Sequence, residues 1–99
     1  MSAPGTVYVI AQFRAKKGQE DALQAVLTAL IPPTRHEPSC IQYDLLQDAA
    51  EPGTLVFVER WETEESLDRH LQTAHVRKAL AEAKPLIEGE PLLRRLRKL

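Results

Sequence analysis

The sequence lacks the features that mark several common classes of protein. It has one cysteine, Cys40, which excludes an internal disulfide and fits a reducing compartment. Its 13 lysines and arginines nearly balance 14 aspartates and glutamates, so no excess charge attracts nucleic acid or an anionic membrane. No apolar run approaches membrane-spanning length, and the beginning, MSAPGTVYVIAQFR, lacks the basic-then-apolar order of a signal peptide. These absences predict a cytoplasmic protein that binds small molecules or copies of itself.

The first half of the chain reads as a strand followed by a helix. The 99 residues fit a single domain, 1–99, whose modest core favours a homo-oligomer. TVYVIAQFRA is rich in β-branched and aromatic residues, and both of its faces are apolar at first, which predicts a strand in a sheet covered on both sides. In QEDALQAVLTALI, the apolar spacing predicts a helix over residues 19–31, which Pro32 and Pro33 end or kink. TRHEPS is then a turn or a last helical fragment.

The second half predicts a hairpin and two more helical segments. CIQYDLLQD and TLVFVERWE read as antiparallel strands joined by a turn at Pro52-Gly53. Thr63 and Thr73 are plausible N-caps of two successive helices. The last segment, PLLRRLRKL, fits a strand or a basic amphipathic helix equally well. A final strand would complete an antiparallel sheet with its helices on one face.

The stretch HLQTAH holds His70 and His75, which raises the question of a metal site. Metal-binding histidines on one helix usually sit four residues apart, whereas these are five apart and would point about 140° apart on a continuous helix. A break at Thr73 would leave their relative direction open. No CxxC motif and no acidic residue at a useful spacing accompanies them, so the sequence predicts no metal ligands.

His70 itself interrupts an otherwise apolar helix face. That position places an imidazole between helix and sheet, where it could act as an acid or a base shielded from water. The alternative is a histidine at the edge of the core that hydrogen-bonds a backbone carbonyl. His75, near the start of the next helix, is expected to be a packing or interface residue, and His36 to be solvated in its turn.

Glu59 is the second candidate, because strand periodicity places this carboxylate on one face with Leu55, Phe57 and Trp61. A carboxylate between aromatic rings can be functional. The alternatives are an ion pair with Arg60 of a neighbouring chain or with another cation, and a purely structural Trp61 in the core. The basic end of the chain is expected to be a solvated strand face or a subunit interface, since it lacks the interleaved aromatics of a nucleic-acid-binding module.

Four stretches together resemble the antibiotic biosynthesis monooxygenase family, in particular its quinol monooxygenase-like members. They are VIAQFRAKKGQEDAL, EPSCIQY, VFVERWE and SLDRHLQTAHVRKAL, and they span most of the chain. Pro38-Ser39 stands where the family commonly has a glycine before the cysteine. The resemblance implies an α+β, ferredoxin-like fold, with a four-stranded antiparallel sheet, helices on one face, and a homodimer forming a dimeric α+β barrel. It also favours the strand for PLLRRLRKL.

The resemblance further implies oxidation of a quinol or phenolic substrate by O2 with no metal, flavin or haem. On that basis His70 is the expected acid-base group, Trp61 a ring-contacting wall and Glu59 a polar partner. The expected substrate-binding residues are Phe13, Tyr43, Phe57 and His75. A homodimer that binds or senses a small molecule without turnover is the alternative.

Haem-degrading enzymes of the same fold are a third, less favoured possibility. They look similar in outline but use an asparagine on the first strand and an axial histidine in the second helical segment. This chain has no asparagine, and Leu80 stands where that histidine would align.

Overall fold

A computed structural model describes residues 5–99, so the first four residues of the leader lie outside the description. The strands are β1 (Val7–Arg14), β2 (Cys40–Gln47), β3 (Thr54–Trp61) and β4 (Leu92–Leu96). The α-helices are α1 (Glu20–Thr28), α2 (Ile31–Arg35), α3 (Glu64–Leu71) and α4 (Ala74–Ala83), and a 3-10 turn follows at Lys84–Leu86.

The four strands form one antiparallel sheet in the order β2-β3-β1-β4. Val7 lies opposite Trp61 and Phe13 opposite Leu55, which fixes the register of the two central strands. The last strand pairs with the other edge of β1, with Tyr8 opposite Leu96. The ferredoxin-like α+β fold is therefore confirmed. The ambiguous final segment is a strand because β1 offers it an edge to pair with.

The helices pack on one face of this sheet and form a single hydrophobic core with it. Alternate residues of β1, including Val7 and Val9, are buried against α1, α3 and α4, as strand periodicity predicts. The apolar side chains that the helices contribute to the core are Leu23, Leu27, Leu67, Val76, Ala79 and Ala83.

The helix predicted over residues 19–31 is shorter than expected, because α1 ends at Thr28. Pro32 and Pro33 do not simply terminate it; they occupy the first turn of the short helix α2. In a first turn the missing N–H of proline costs no hydrogen bond, since those donors have no partner within the helix. TRHEPS accordingly divides between the end of α2 and the turn before β2.

Both predicted N-caps are present, and they separate α3 from α4. Thr63 and Ser66 form a reciprocal capping box, in which each side chain accepts from the other's backbone N–H. Thr73 Oγ1 donates to the His70 carbonyl at 2.7 Å and accepts from the Val76 N–H at 3.4 Å. The second cap therefore ends one helix and begins the next, just between the two histidines of HLQTAH.

The other face of the sheet carries many apolar side chains. Tyr8 and Ile10 are partly exposed there, and Leu92 and Leu96 of β4 stand beside them on the same face, each 44% exposed. Within residues 5–99, none of the helices has the length and apolar character needed to cross a membrane.

Candidate active site

The helix break brings His70 and His75 together on a carboxylate from a distant part of the chain. Glu37, in the turn before β2, places Oε2 2.8 Å from His70 Nδ1 and 2.8 Å from His75 Nε2. The two rings lie 6.1 Å apart between centroids. The expectation that no acidic residue accompanies the histidines is therefore wrong. Glu37 is 33 and 38 residues away from them, which spacing along the sequence does not reveal.

The hydrogen bond to Glu37 sets the protonation of the His70 ring. An ionised carboxylate only accepts, so His70 Nδ1 must carry the hydrogen. In the neutral ring the lone pair is then on Nε2, and within residues 5–99 Nε2 makes no hydrogen bond. Burial lowers the pKa of His70. The hydrogen bond to Glu37 and the charge of Glu37 raise this pKa, but burial is the larger effect. The neutral ring can therefore accept a proton at Nε2.

Aromatic side chains surround this histidine on the sheet side. The Trp61 ring lies 4.5 Å from the His70 ring between centroids, and the Tyr43 ring lies 5.5 Å away in an edge-on arrangement. Tyr43 in turn stacks on Phe57 at 4.6 Å, and Phe57 meets Phe13 edge-on at 6.3 Å. All the predicted aromatic site residues thus belong to one connected group of rings.

Glu59 joins this group through the indole of Trp61. Trp61 Nε1 donates to Glu59 Oε1 at 2.9 Å, and the glutamate is only 4% exposed. Burial raises the pKa of Glu59 to about 7; the Trp61 hydrogen bond opposes the rise, and the charge of Glu37 adds to it. Arg60 lies on the opposite face of β3 and donates to Gln42. Glu59 is thus a carboxyl group that changes charge near neutral pH.

Two other titratable side chains near the site remain neutral. Burial raises the pKa of the Tyr43 phenol well above its ordinary value, so Tyr43 can donate a hydrogen bond but does not act as a base at neutral pH. Burial also raises the pKa of the Cys40 thiol to about 11. A thiol of that pKa has almost no thiolate at neutral pH and is a poor nucleophile.

The predicted site residues fill the space between helices and sheet rather than line an open pocket. His75 is the most exposed of them, while the other six are at most 5% exposed. A cleft of about 250 Å³ borders Phe13, with walls from Leu80, Ala83, Ile87 and Pro91. A smaller cavity of about 110 Å³ borders Trp61 and Glu37, with walls from Ser39, Ser66 and Arg69.

These two cavities lie at different ends of the sheet. Phe13 is opposite Leu55, and Trp61 lies six residues further along β3, a separation of about 20 Å at the rise of an extended strand. One aromatic ring therefore cannot contact Phe13 and Trp61 at the same time. The Trp61 end has His70 and His75, the buried Glu59 and the partly buried Glu37. The Phe13 end has the larger opening.

The sequence and the fold are those of a known family. The sequence profile of the antibiotic biosynthesis monooxygenase family matches residues 6–82, and the chain belongs to that family.

Two relatives illustrate the similarity. Rv0793 of Mycobacterium tuberculosis is 41% identical over 75 residues, covering 76% of this chain and 71% of the relative. Its solved structure superposes with a TM-score of 0.90 over 95% of both chains, at 35% identity over that longer alignment. The protein of Escherichia coli K12 named "Probable quinol monooxygenase YgiN" is 35% identical over 95 residues, covering 85% of this chain and 86% of the relative.

Proposed function

We propose that this protein is a monooxygenase that oxidises a quinol or phenolic compound with O2 and without a cofactor, with His70 as the base. One observation carries the proposal. The Glu37 hydrogen bond leaves His70 Nε2 as an acceptor, and the ring lies between Trp61 and Tyr43. The family membership and the 35% identity to YgiN support the reaction class.

The reaction can be written with atoms and electrons in balance. His70 Nε2 takes the proton of a substrate hydroxyl, and the resulting anion is rich in electrons at the ring carbons. O2 accepts electrons from that ring and forms one carbon–oxygen bond. Cleavage of the O–O bond then leaves one oxygen in a quinone product and releases the other as water. Because the substrate supplies all four electrons, no external reductant is required.

The aromatic side chains around His70 would hold the substrate ring and keep water away from the anion. Glu59, with a pKa of about 7, is suited to exchanging a proton or a hydrogen bond with a second substrate oxygen. The cavity of about 110 Å³ that borders Trp61 and Glu37 is somewhat smaller than an apolar cavity of about 150 Å³ that accepts benzene. The proposed substrate class is a single-ring quinol, and an outward movement of the exposed Arg69 would have to enlarge the cavity and open it towards His70 for that ring to reach Nε2.

A second candidate function, small-molecule binding without turnover, is favoured by a different observation. The larger cleft borders Phe13, about 20 Å along the sheet from Trp61. A ligand held there would contact Leu80 and Ala83 but would have no base beside it. Leu80→Arg would block such a ligand, whereas substitutions at His70 would not.

We also propose that two copies pair through the open faces of their sheets, as the resemblance implies. The face carries Ile10 and Val58 at its centre and exposed leucines on both edge strands. Burying such a face against a second copy would remove apolar surface from water. The single cysteine and balanced charge lead us to retain the prediction of a cytoplasmic location, with no nucleic acid or membrane as partner.

The deciding experiment measures O2 consumption by EDTA-treated protein given a panel of single-ring and two-ring quinols and phenols. Wild type should consume O2, and under ¹⁸O2 the product should gain one labelled oxygen. His70→Ala should lower the rate by a factor of about 100 or more. His36→Ala is the matched control, because the His36 ring is exposed and its Nδ1 hydrogen-bonds the Pro32 carbonyl rather than a site residue. Consumption that is equal in wild type and His70→Ala would refute the base.

Substrate binding is measured separately through Trp61, the only tryptophan of the chain. If the proposal is correct, quinols quench Trp61 fluorescence in both wild type and His70→Ala. If no quinol is turned over, but wild type binds a compound of the panel and Leu80→Arg abolishes that binding, the second candidate function replaces the first.

A further inference from the structure

We propose that Glu37, His70 and His75 form a binding site for a divalent transition metal such as Zn²⁺. Their three ligand atoms, one carboxylate oxygen and two imidazole nitrogens, all lie within 4.8 Å of one another. They come from three separate segments: the turn before β2, the last turn of α3 and the first turn of α4. The fold, rather than a local motif, makes them converge.

The donor set has the chemistry that such ions prefer. Two imidazoles and one carboxylate, with water in the fourth position, are the ligands of one class of catalytic zinc site. The same set binds ferrous iron in other proteins. The cavity of about 110 Å³ borders Glu37 and provides room for the water ligand.

The geometry requires only small side-chain movements. Both nitrogens now lie 2.8 Å from the same carboxylate oxygen. Zinc–nitrogen and zinc–oxygen bonds are near 2.0–2.2 Å, so an ion entering between the ligands would replace the two ring hydrogens and push the oxygen back. The His75 side chain is 27% exposed and that of Glu37 16% exposed, so these two are free to adjust. His70 is only 3% exposed and provides the fixed ligand.

The charge balance also favours a cation. Among the described residues, the ion-pair partners of Glu37 are the two histidines, which are charged only when protonated. Within residues 5–99, no lysine or arginine forms an ion pair with the Glu37 carboxylate. With both rings neutral the cluster carries one negative charge, partly shielded from water. A divalent ion would supply the positive charge that this cluster lacks.

Metal binding would also affect the proposed base, a consequence that rests on the proposed function. An ion bound to His70 Nδ1 leaves the ring hydrogen on Nε2. That nitrogen then donates instead of accepting, and it cannot take a proton from a phenol. The metal would therefore act as an inhibitor of the oxygenase, and its removal as an activator.

Co²⁺ is the probe, because its visible absorption reports the ligands and geometry around the ion. EDTA-treated full-length protein is titrated with Co²⁺ at pH 7.5, and Zn²⁺ is then added to displace it. We expect one Co²⁺ for each chain, with the absorption of a four-coordinate ion. His75→Ala and Glu37→Gln should each weaken binding more than about tenfold, the least that losing even an outer-shell partner usually costs. His36→Ala should bind as wild type does.

A binding curve that is unchanged in His75→Ala, or equally weakened in His36→Ala, would overturn the site, as would no Co²⁺ absorption at millimolar ion. Folding of each variant is checked by circular dichroism, and Zn²⁺ should raise the thermal midpoint of wild type more than that of His75→Ala. The O2 assay separates the two proposals. If the protein binds Co²⁺ but shows no oxygenase activity, the proposed inhibition is refuted and the proposed metal site stands.

Discussion

The indole N–H of Trp61 donates to the carboxyl group of Glu59 at 2.9 Å, in the interior between sheet and helices. Both residues are almost fully buried, at 0% and 4% exposed. The indole satisfies one carboxyl oxygen, but a single neutral donor does not repay the cost of burying a full negative charge. Glu59 therefore keeps its proton to a higher pH in the folded protein than in the unfolded chain.

The stability of the protein should accordingly fall as pH rises through this range. The pKa of Glu59 is about 7 when folded and near 4.5 when unfolded, so between these values the folded state binds more protons. The free energy of unfolding should decrease from about pH 4.5 to about pH 7, by up to about 3 kcal/mol from this group. Glu59→Gln, which stays neutral, should remove that decrease and be more stable than wild type at pH 8.

Urea unfolding at pH 5 and pH 8, at fixed protein concentration, measures this difference. Other groups near Glu59, notably Glu37 and Tyr43, are common to both proteins and drop out of the comparison. Parallel pH profiles for wild type and Glu59→Gln would show that Glu59 titrates normally.

Glu37→Gln should change which nitrogen of His70 carries the hydrogen. The glutamine amide can donate to Nδ1, which the carboxylate cannot do, so the Nε2–H form becomes populated. Turnover should fall by a factor of about 100 or more while the KM for the quinol changes little. The ¹⁵N chemical shifts of the His70 ring report the tautomer directly. Unaltered ring shifts together with normal turnover would rule out a positioning role for Glu37.

A charge placed on the open sheet face should dissociate the proposed dimer. Ile10 and Val58 lie opposite each other at the centre of that face. Ile10→Lys would bury a cation against its copy, which is costly without a partner charge. Sedimentation velocity should show wild type as a dimer and Ile10→Lys as a monomer. Gln24→Lys, on the exposed side of α1, is the control and should stay dimeric. A monomeric wild type would disprove the pairing.

The capping box at the start of α3 should contribute measurably to stability. Thr63 Oγ1 accepts from the Ser66 N–H at 3.0 Å, and Ser66 Oγ accepts from the Thr63 N–H at 3.1 Å. Thr63→Ala should lower the free energy of unfolding by about 0.5–2 kcal/mol. Thr28→Ala, at the exposed end of α1, makes a suitable comparison and should change stability by less than about 0.5 kcal/mol. If Thr28→Ala lowered the free energy of unfolding as much as Thr63→Ala, the cap would have no specific stabilising role.

The sequence by itself determined most of the elements and the periodicity of their faces. Alternation along TLVFVERW placed Leu55, Phe57, Glu59 and Trp61 on one face, and in the structure that face is the buried one. Thr63 and Thr73 marked helix starts because their hydroxyls accept from backbone N–H groups nearby in sequence. These features depend on residues within about four positions of each other, so local patterns record them.

The tertiary structure alone decided how the residues of the candidate site come together. The contact of Glu37 with two histidines more than 30 residues away follows from how the junction of α3 and α4 packs against the turn before β2. The separation of Phe13 from Trp61 follows from strand register, which periodicity leaves open. The last segment became a strand because β1 had an unpaired edge beside it. Each of these results depends on which distant segments meet in space, and the chain specifies that only when the whole core packs.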